Sequence, residues 1–291
     1  MTLPKTMFAP QLRDFVDLDL ARRLEMAETM PAERVKALQR SLPEATSVVI
    51  AGGTAVFGSR AYPANHIVGM GLYGPVTSDD IDRVEEFYRS RGVSCEIVVS
   101  PLADGTLLEL LAPRGYRITE FNSVLIRRLE RGDLIEPAQG ITIESVTPAT
   151  ERLWDRVIAG GFAEFGPLPE DLFGAFASLP DGLSFLARVN GVPAGGAAGA
   201  IMRKAGIAAL FGASTLPEFR GKGVQTALIN RRLWEAARAG CEYAVVSTLP
   251  GSGSQRNMER RGFRVAYTKV VMVRTWPESA PRVEPGEEDG H

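Results

Sequence analysis

The residues best suited to chemistry lie in one stretch, 211–230. An apolar strand runs into Leu216-Pro217, then into the basic loop Arg220-Gly221-Lys222-Gly223, and directly into an amphipathic helix with Ile229, Leu233 and Ala236 on one face. Glycines at 221 and 223 allow backbone N–H groups to converge on one point, and the helix start adds partial positive charge there. Arg220 and Lys222 add counter-charge. This combination suits a pyrophosphate. It is not a G-x-x-x-x-G-K-[ST] loop, whose lysine stands at the helix start, nor G-x-G-x-x-G, because Thr226 occupies the third glycine position.

The elements that must carry this loop come in two copies. Stretches 78–127 and 225–274 share one order: amphipathic helix, buried strand, Gly/Pro-bearing loop, short helix, Gly-aromatic-Arg and a final strand. In the first copy Ser78 reads as an N-cap, Ile81, Val84 and Tyr88 recur at helical spacing, and Gly92 ends the helix. The strand Cys95–Val99 follows, then Gly115-Tyr116-Arg117 and a last strand ending at Arg127. The second copy has Gly240 as its stop, a strand at Cys241–Val246, then Gly262-Phe263-Arg264 and a last strand ending at Arg274. A unit of about half the chain implies tandem domains; solenoid units are shorter, roughly 20–50 residues.

Within the second copy the pattern predicts a strand at Ile141–Val146, helices at Thr150–Ala159 and Glu170–Ala177, and strands at Ser184–Val189, Ala194–Met202 and Ile207–Ala213. Asn190-Gly191 marks a tight hairpin. The first copy lacks an obvious opening strand. It starts with helices at Leu18–Glu28 and Ala32–Ser41 and hairpin strands near Val48–Val56 and Ile67–Leu72. Helices alternating with strands and hairpins predict an α+β protein, a mixed sheet flanked by helices.

Composition bounds the rest. The chain has 291 residues, 45% of them hydrophobic, enough for two cores. Thirty-three basic against 35 acidic residues leave a net charge of −2, which gives no reason to expect nucleic-acid binding. Cys95 and Cys241 rule out a disulfide scaffold and fit a reducing, cytoplasmic setting. Each opens a buried strand and reads as a small core residue. Two histidines, His66 and His291, leave little for a metal site or a triad, and no metal is expected. No apolar run reaches the roughly 20 residues of a membrane span. The end of the chain, 276–291, is rich in Pro, Glu and Gly and reads as a disordered tail.

Leu216-Pro217-Glu218-Phe219-Arg220-Gly221-Lys222-Gly223-Val224, followed by Gly262-Phe263-Arg264, resembles the GNAT-type N-acetyltransferases, whose signature loop is V-x-P-x-x-R-G-x-G-x-G/A. The resemblance implies two GNAT-like domains in tandem, each a central mixed sheet flanked by helices. Residues 1–131 would be a degenerate copy without a phosphate loop, and 132–275 a domain that binds acetyl-CoA as acyl donor. It implies that the backbone of Ala213, Ser214 and Thr215 binds pantetheine and acetyl group, and that Gly221, Lys222, Gly223, Val224, Gln225 and Thr226, with Arg220, hold the pyrophosphate. Gln225 departs from the loop's usual final small residue. Met258 stands where the family often has a tyrosine acid, and Gly251 where it often has an asparagine. In the first copy only Tyr73-Gly74-Pro75-Val76-Thr77 joins strand to helix, and Asp79 and Asp80 stand where a phosphate would sit.

The expected function is transfer of an acetyl group to the amine of an unidentified, small-molecule acceptor by direct attack. The alternative is a non-catalytic CoA-binding regulatory or scaffold protein. No catalytic residue is assigned. Glu164 and Glu170 are either the border of the acceptor pocket or solvated helix-end acids, and Tyr267 is either a substitute acid or a core aromatic. Ser252 and Ser254 read as caps of a short helix at Gln255–Arg261. A homodimer is left open.

Overall fold

The structure, a computed structural model, describes residues 16–29, 32–130, 132, 137–165, 173–177, 179 and 181–276. The first half contributes α1 (Leu18–Glu28), α2 (Ala32–Leu38), β1 (Thr46–Ile50), β2 (Gly53–Phe57), β3 (Ile67–Val68), α3 (Ser78–Arg89), β4 (Cys95–Val99), α4 (Gly105–Leu111) and β5 (Arg117–Arg128). The second contributes β6 (Ile141–Ser145), α5 (Glu151–Phe162), α6 (Gly174–Ala177), β7 (Phe185–Val189), β8 (Val192–Met202) and β9 (Ile207–Thr215). It ends with α7 (Val224–Arg238), β10 (Tyr243–Thr248), α8 (Gly253–Glu259) and β11 (Arg264–Arg274). Glu170, most of the segment 131–136 and the tail beyond Trp276 lie outside the described residues.

The turn chemistry holds. Asn190 and Gly191 both take positive φ (50° and 84°) between β7 and β8, and Ala51-Gly52 does the same between β1 and β2 (45° and 77°). Mirror-image turns of this kind match the twist of the strands they join. Among the described residues the first half has no counterpart of β6.

The eleven strands among the described residues form one mixed sheet in the order β1-β2-β3-β4-β11-β5-β10-β9-β8-β7-β6. Two pairs are parallel, β3 with β4 and β9 with β10; the rest are antiparallel. The repeat did not foretell one feature. The last strand of each half is exchanged: β11 pairs with β4 of the first half, β5 pairs with β10 of the second, and β5 and β11 pair with each other at the centre. The two expected sheets are therefore joined edge to edge.

One face of the second half carries α7 and α8, with Leu228, Leu233, Met258 and Phe263 packed on Leu125, Ala208, Ala244 and Val246. The other face carries α5, whose buried Trp154 donates its indole N–H to the Phe185 carbonyl at 2.9 Å, and also α1 from the first half. Leu20, Ala21, Leu24 and Ala27 of α1 pack on Ile207, Ala209, Tyr243 and Val245, so the halves share a core. Cys95 and Cys241 are buried free thiols, and burial pushes the Cys95 thiol up to about 12. Among the described residues no helix is long and apolar enough to cross a membrane.

Candidate active site

The site begins where β9 leaves its neighbours. β9 and β10 pair only from Ile207↔Tyr243 to Ala209↔Val245. Beyond that point β9 stays with β8 as far as Thr215, while β10 stays with β5 as far as Thr248, so a wedge opens between Leu210–Thr215 and Val246–Thr248. β9 also bulges in the wedge. Phe211 faces Ala198 and Ser214 faces Gly196, leaving Gly212 and Ala213 opposite Ala197 alone. A bulge of this kind frees ladder groups and re-aims the strand, and bulges recur beside active sites.

Ala213, Ser214 and Thr215 thus line the wedge with unpaired strand edge. The Ser214 hydroxyl is spent on structure, donating to the Ile158 carbonyl of α5 at 2.9 Å. Gly161 permits that approach, since a Cβ there would run into Ser214 and the Thr215 amide. The Thr215 hydroxyl is buried and has no partner among the described residues.

From Thr215 the chain passes Pro217–Phe219 and enters the loop. Gly221 and Gly223 both lie at left-handed φ (75° and 88°), and a Cβ at Gly221 would meet nothing. Gly223 caps α7 without any side-chain hydrogen bond. The first intrahelical bond comes from Ala227 N to Gly223 O, so the amides of Val224, Gln225 and Thr226 have no acceptor within the helix. Val224 is core and offers only its backbone. Gln225 turns aside, its Oε1 accepting from Asn257 of α8 at 2.6 Å, so its side chain does not crowd the loop. Lys222 is exposed, with Nζ 5.1 Å from the Phe219 ring centre.

Arg220 behaves differently from the expectation of free counter-charge. Its guanidinium grips Glu164 through two bonds of 3.0 and 3.1 Å and also donates to the Gly161 carbonyl at 3.2 Å. Glu164, read as a pocket border or a solvated helix-end acid, is half exposed at a helix end and is this ion-pair partner. Arg220 therefore ties the loop to α5, and much of its charge is already balanced.

The corresponding place in the first half is closed. β3 and β4 also run parallel, over Ile67↔Ile97 and Val68↔Val98, and lead to α3. The cap of α3 is Thr77, one residue before the expected Ser78. Its hydroxyl accepts from Asp80 N at 3.3 Å, and its own N–H donates to Asp80 Oδ2 at 3.1 Å. The Thr77 hydroxyl also donates to Asp80 Oδ2 at 2.7 Å, and this bond, with that from the Thr77 N–H, holds the Asp80 carboxyl below its usual range. The helix start is occupied and anionic.

Met258 is buried in the core and can carry no proton. Ser252 caps α8 as expected, accepting from Gln255 N at 3.1 Å. Tyr267 belongs to a network that sequence reasoning missed. Its hydroxyl donates to Glu25 Oε1 at 2.6 Å, and burial, then Glu25, drives its pKa far up, which disqualifies it as an acid at neutral pH. Lys269, 1% exposed, reaches Glu25 Oε2 at 3.3 Å and Glu28 Oε2 at 2.6 Å, and Ser247 donates to Glu28 Oε1 at 2.5 Å. Burial alone would raise Glu28, but Lys269 and Ser247 hold it below its ordinary value, so it is a carboxylate. Ser247 lies on β10 beyond its last pair with β9, so Glu28, 24% exposed, stands at the wedge. A cavity of about 290 Å³ adjoins the network, lined by Arg22, Glu25, Thr29, Thr54 and Tyr73 among others. The signal lay 244 residues apart, in a helix-end Glu-x-x-Glu and a lysine amid an apolar strand, with no local pattern to join them.

Residues 150–263 match the sequence profile of the acetyltransferase (GNAT) family. The fold of the whole is shared with solved structures. A GCN5-related N-acetyltransferase from Kribbella flavida aligns with a TM-score of 0.61 at 21% identity, over 88% of this chain and 96% of its own. One from Sphaerobacter thermophilus aligns at 0.56 and 18%, over 88% and 93%. A tandem GNAT protein from the clavulanic acid biosynthesis pathway aligns at 0.59 and 14%, over the same shares. No curated protein matches the chain.

Proposed function

We propose that the chain transfers an acetyl group from acetyl-coenzyme A to the amine of a small acceptor, with residues 132–275 holding the donor and 1–131 serving as a copy that has lost its phosphate site. The observation that carries this reading is the uncapped start of α7 behind two left-handed glycines, beside the wedge between β9 and β10. The amides of Val224, Gln225 and Thr226 are donors in want of an anion. When bound, coenzyme A supplies an acyl group activated as a thioester.

The chain's own residues do the rest. The loop and α7 bind the phosphates, Lys222 adds charge, and the free edge at Ala213–Thr215 orients the thioester arm. Positioning then brings a neutral amine into line with the acyl carbon. As the nitrogen–carbon bond forms and the carbon–sulfur bond breaks, the nitrogen sheds one proton through water to the Glu28 carboxylate, and the departing sulfur takes up one proton from water, leaving the amide and the free thiol. The first half thus shapes the acceptor side, and the cavity beside Glu25 is of a size for a small molecule.

Acetyl-coenzyme A titrated by calorimetry into wild type and Gly223→Glu tests the reading. Binding in wild type and its loss in a folded variant is expected; absence of wild-type binding would overturn it. The burial of Met258 favours a second reading, a coenzyme A-binding protein without turnover. Steady release of coenzyme A thiol in the presence of a primary amine separates the two.

A further inference from the structure

Among the described residues, one buried charged group of the second half has no partner of opposite charge. Arg232, on the inner face of α7, is 0% exposed. Its three hydrogen bonds all go to neutral carbonyls: Nε to Leu228 O at 3.2 Å, and Nη1 to Ala198 O at 2.8 Å and Phe211 O at 3.4 Å. Its Nη2 has no partner among the described residues. Burial pushes the guanidinium down to about 9, so it remains a cation at neutral pH.

Stability does not account for this residue. A buried charge without a counter-ion carries a penalty of several kcal/mol, and an apolar side chain of similar volume avoids it. What the residue touches is more telling. Ala198 and Phe211 are the cross-strand partners at which the β9 bulge begins, one residue before Gly212 and Ala213 leave register. One nitrogen, Nη1, donates to both strand carbonyls while Nε holds the Leu228 carbonyl of the helix, an arrangement that a rigid planar guanidinium keeps and a flexible lysine ammonium does not. Arg232 therefore fastens α7, the helix that opens on the phosphate loop, to the irregular step in the strand that lines the wedge.

We propose that Arg232 is a positioning residue of the acyl-transfer site, holding the β9 bulge in the shape that turns Ala213, Ser214 and Thr215 toward the acyl-bearing arm. This rests on the transferase reading above. Arg232 touches no ligand; it acts through the strand.

The test compares acetyl-coenzyme A with the phosphorylated ADP fragment of coenzyme A, which engages the phosphate loop but not the wedge. Both are titrated into wild type, Arg232→Met and Arg232→Lys, with thermal unfolding of each. Arg232→Met is expected to keep or raise the melting midpoint and to weaken acetyl-coenzyme A about tenfold or more, while the fragment stays within about twofold of wild type. Arg232→Lys, which keeps the charge but not the fork, falls between. A folded Arg232→Met that binds acetyl-coenzyme A as wild type does overturns the proposal. So does an equal loss for both ligands, because the residue would then support the fold at large. If Arg232→Met does not fold, Arg232→Lys decides: wild-type affinity for acetyl-coenzyme A overturns the proposal, and a selective loss sustains it. Wild type that binds neither ligand sinks the transferase reading instead.

Discussion

The starts of α3 and α7 occupy equivalent places in a repeated plan, and they have opposite chemistry. At α3 a threonine and an aspartate satisfy the first amides reciprocally and leave a negative charge on the helix end. At α7 a left-handed glycine leaves the amides open, with a lysine beside them. The difference lies in a handful of residues on the same scaffold. A helix start can be finished by its own side chains or left for a ligand, and the unfinished one gives up local stability, about 1 kcal/mol for a missing cap, for an anion site.

The largest test asks whether the two halves are separable at all. Lys269 of exchanged β11 is the only cation bonded to Glu25 and Glu28 of α1 among the described residues. Lys269→Met strands two carboxylates in the interior and should cost about 3–5 kcal/mol in denaturant unfolding. Its pH dependence should also change. In wild type the two carboxyls oppose each other: the Glu28 pKa is lowered, so its contribution is present above the unfolded value of 4.5 and is lost on acidification below it, while burial already raises Glu25, whose penalty eases on acidification. In the variant both carboxyls are raised, so stability should recover as pH falls from about 7 to about 5. A variant as stable as wild type would mean that this tie between halves is slack.

A smaller change should turn α7 into a copy of α3. Thr226→Asp places an acid at the third helical position, where Asp80 stands in α3. Acetyl-coenzyme A affinity should fall about a hundredfold by calorimetry, or about 2.7 kcal/mol, while the melting midpoint holds or rises slightly. Undiminished affinity would place the phosphates elsewhere. The reverse change is smallest. Thr77→Ala removes the cap of α3 and should cost about 1 kcal/mol in unfolding, with no gain of acetyl-coenzyme A binding, because Asp79 and Asp80 remain. Binding acquired by that variant would show the two starts to be less different than their charges imply.

Much of this was legible locally. Asn190-Gly191, Gly240 and the loop before α7 each act through their own backbone preferences, so the sequence exposes them. The repeat was legible for the same reason, since each element shows its own period. The exchange of β5 and β11 was not. Both strands follow a Gly-aromatic-Arg turn and end in similar apolar runs, so either could pair with either neighbour, and only the packed molecule chooses. Arg232 and Lys269 escaped because charged residues on a helix or strand read as solvent-facing by default. Arg220 was half legible: its place in the loop was plain, but Glu164 lies 56 residues away.

The exchanged strands also set an order of assembly. As the chain is synthesised, β4 is complete long before Arg264–Arg274 exists, so the first half must wait with an open, apolar edge until β11 has emerged. β5 in turn waits for both of its partners. The closing contacts are thus distant in sequence, which favours slow, late closure and a single cooperative unfolding unit. Truncation anywhere before β11 leaves two sticky margins where the intact chain has a seam.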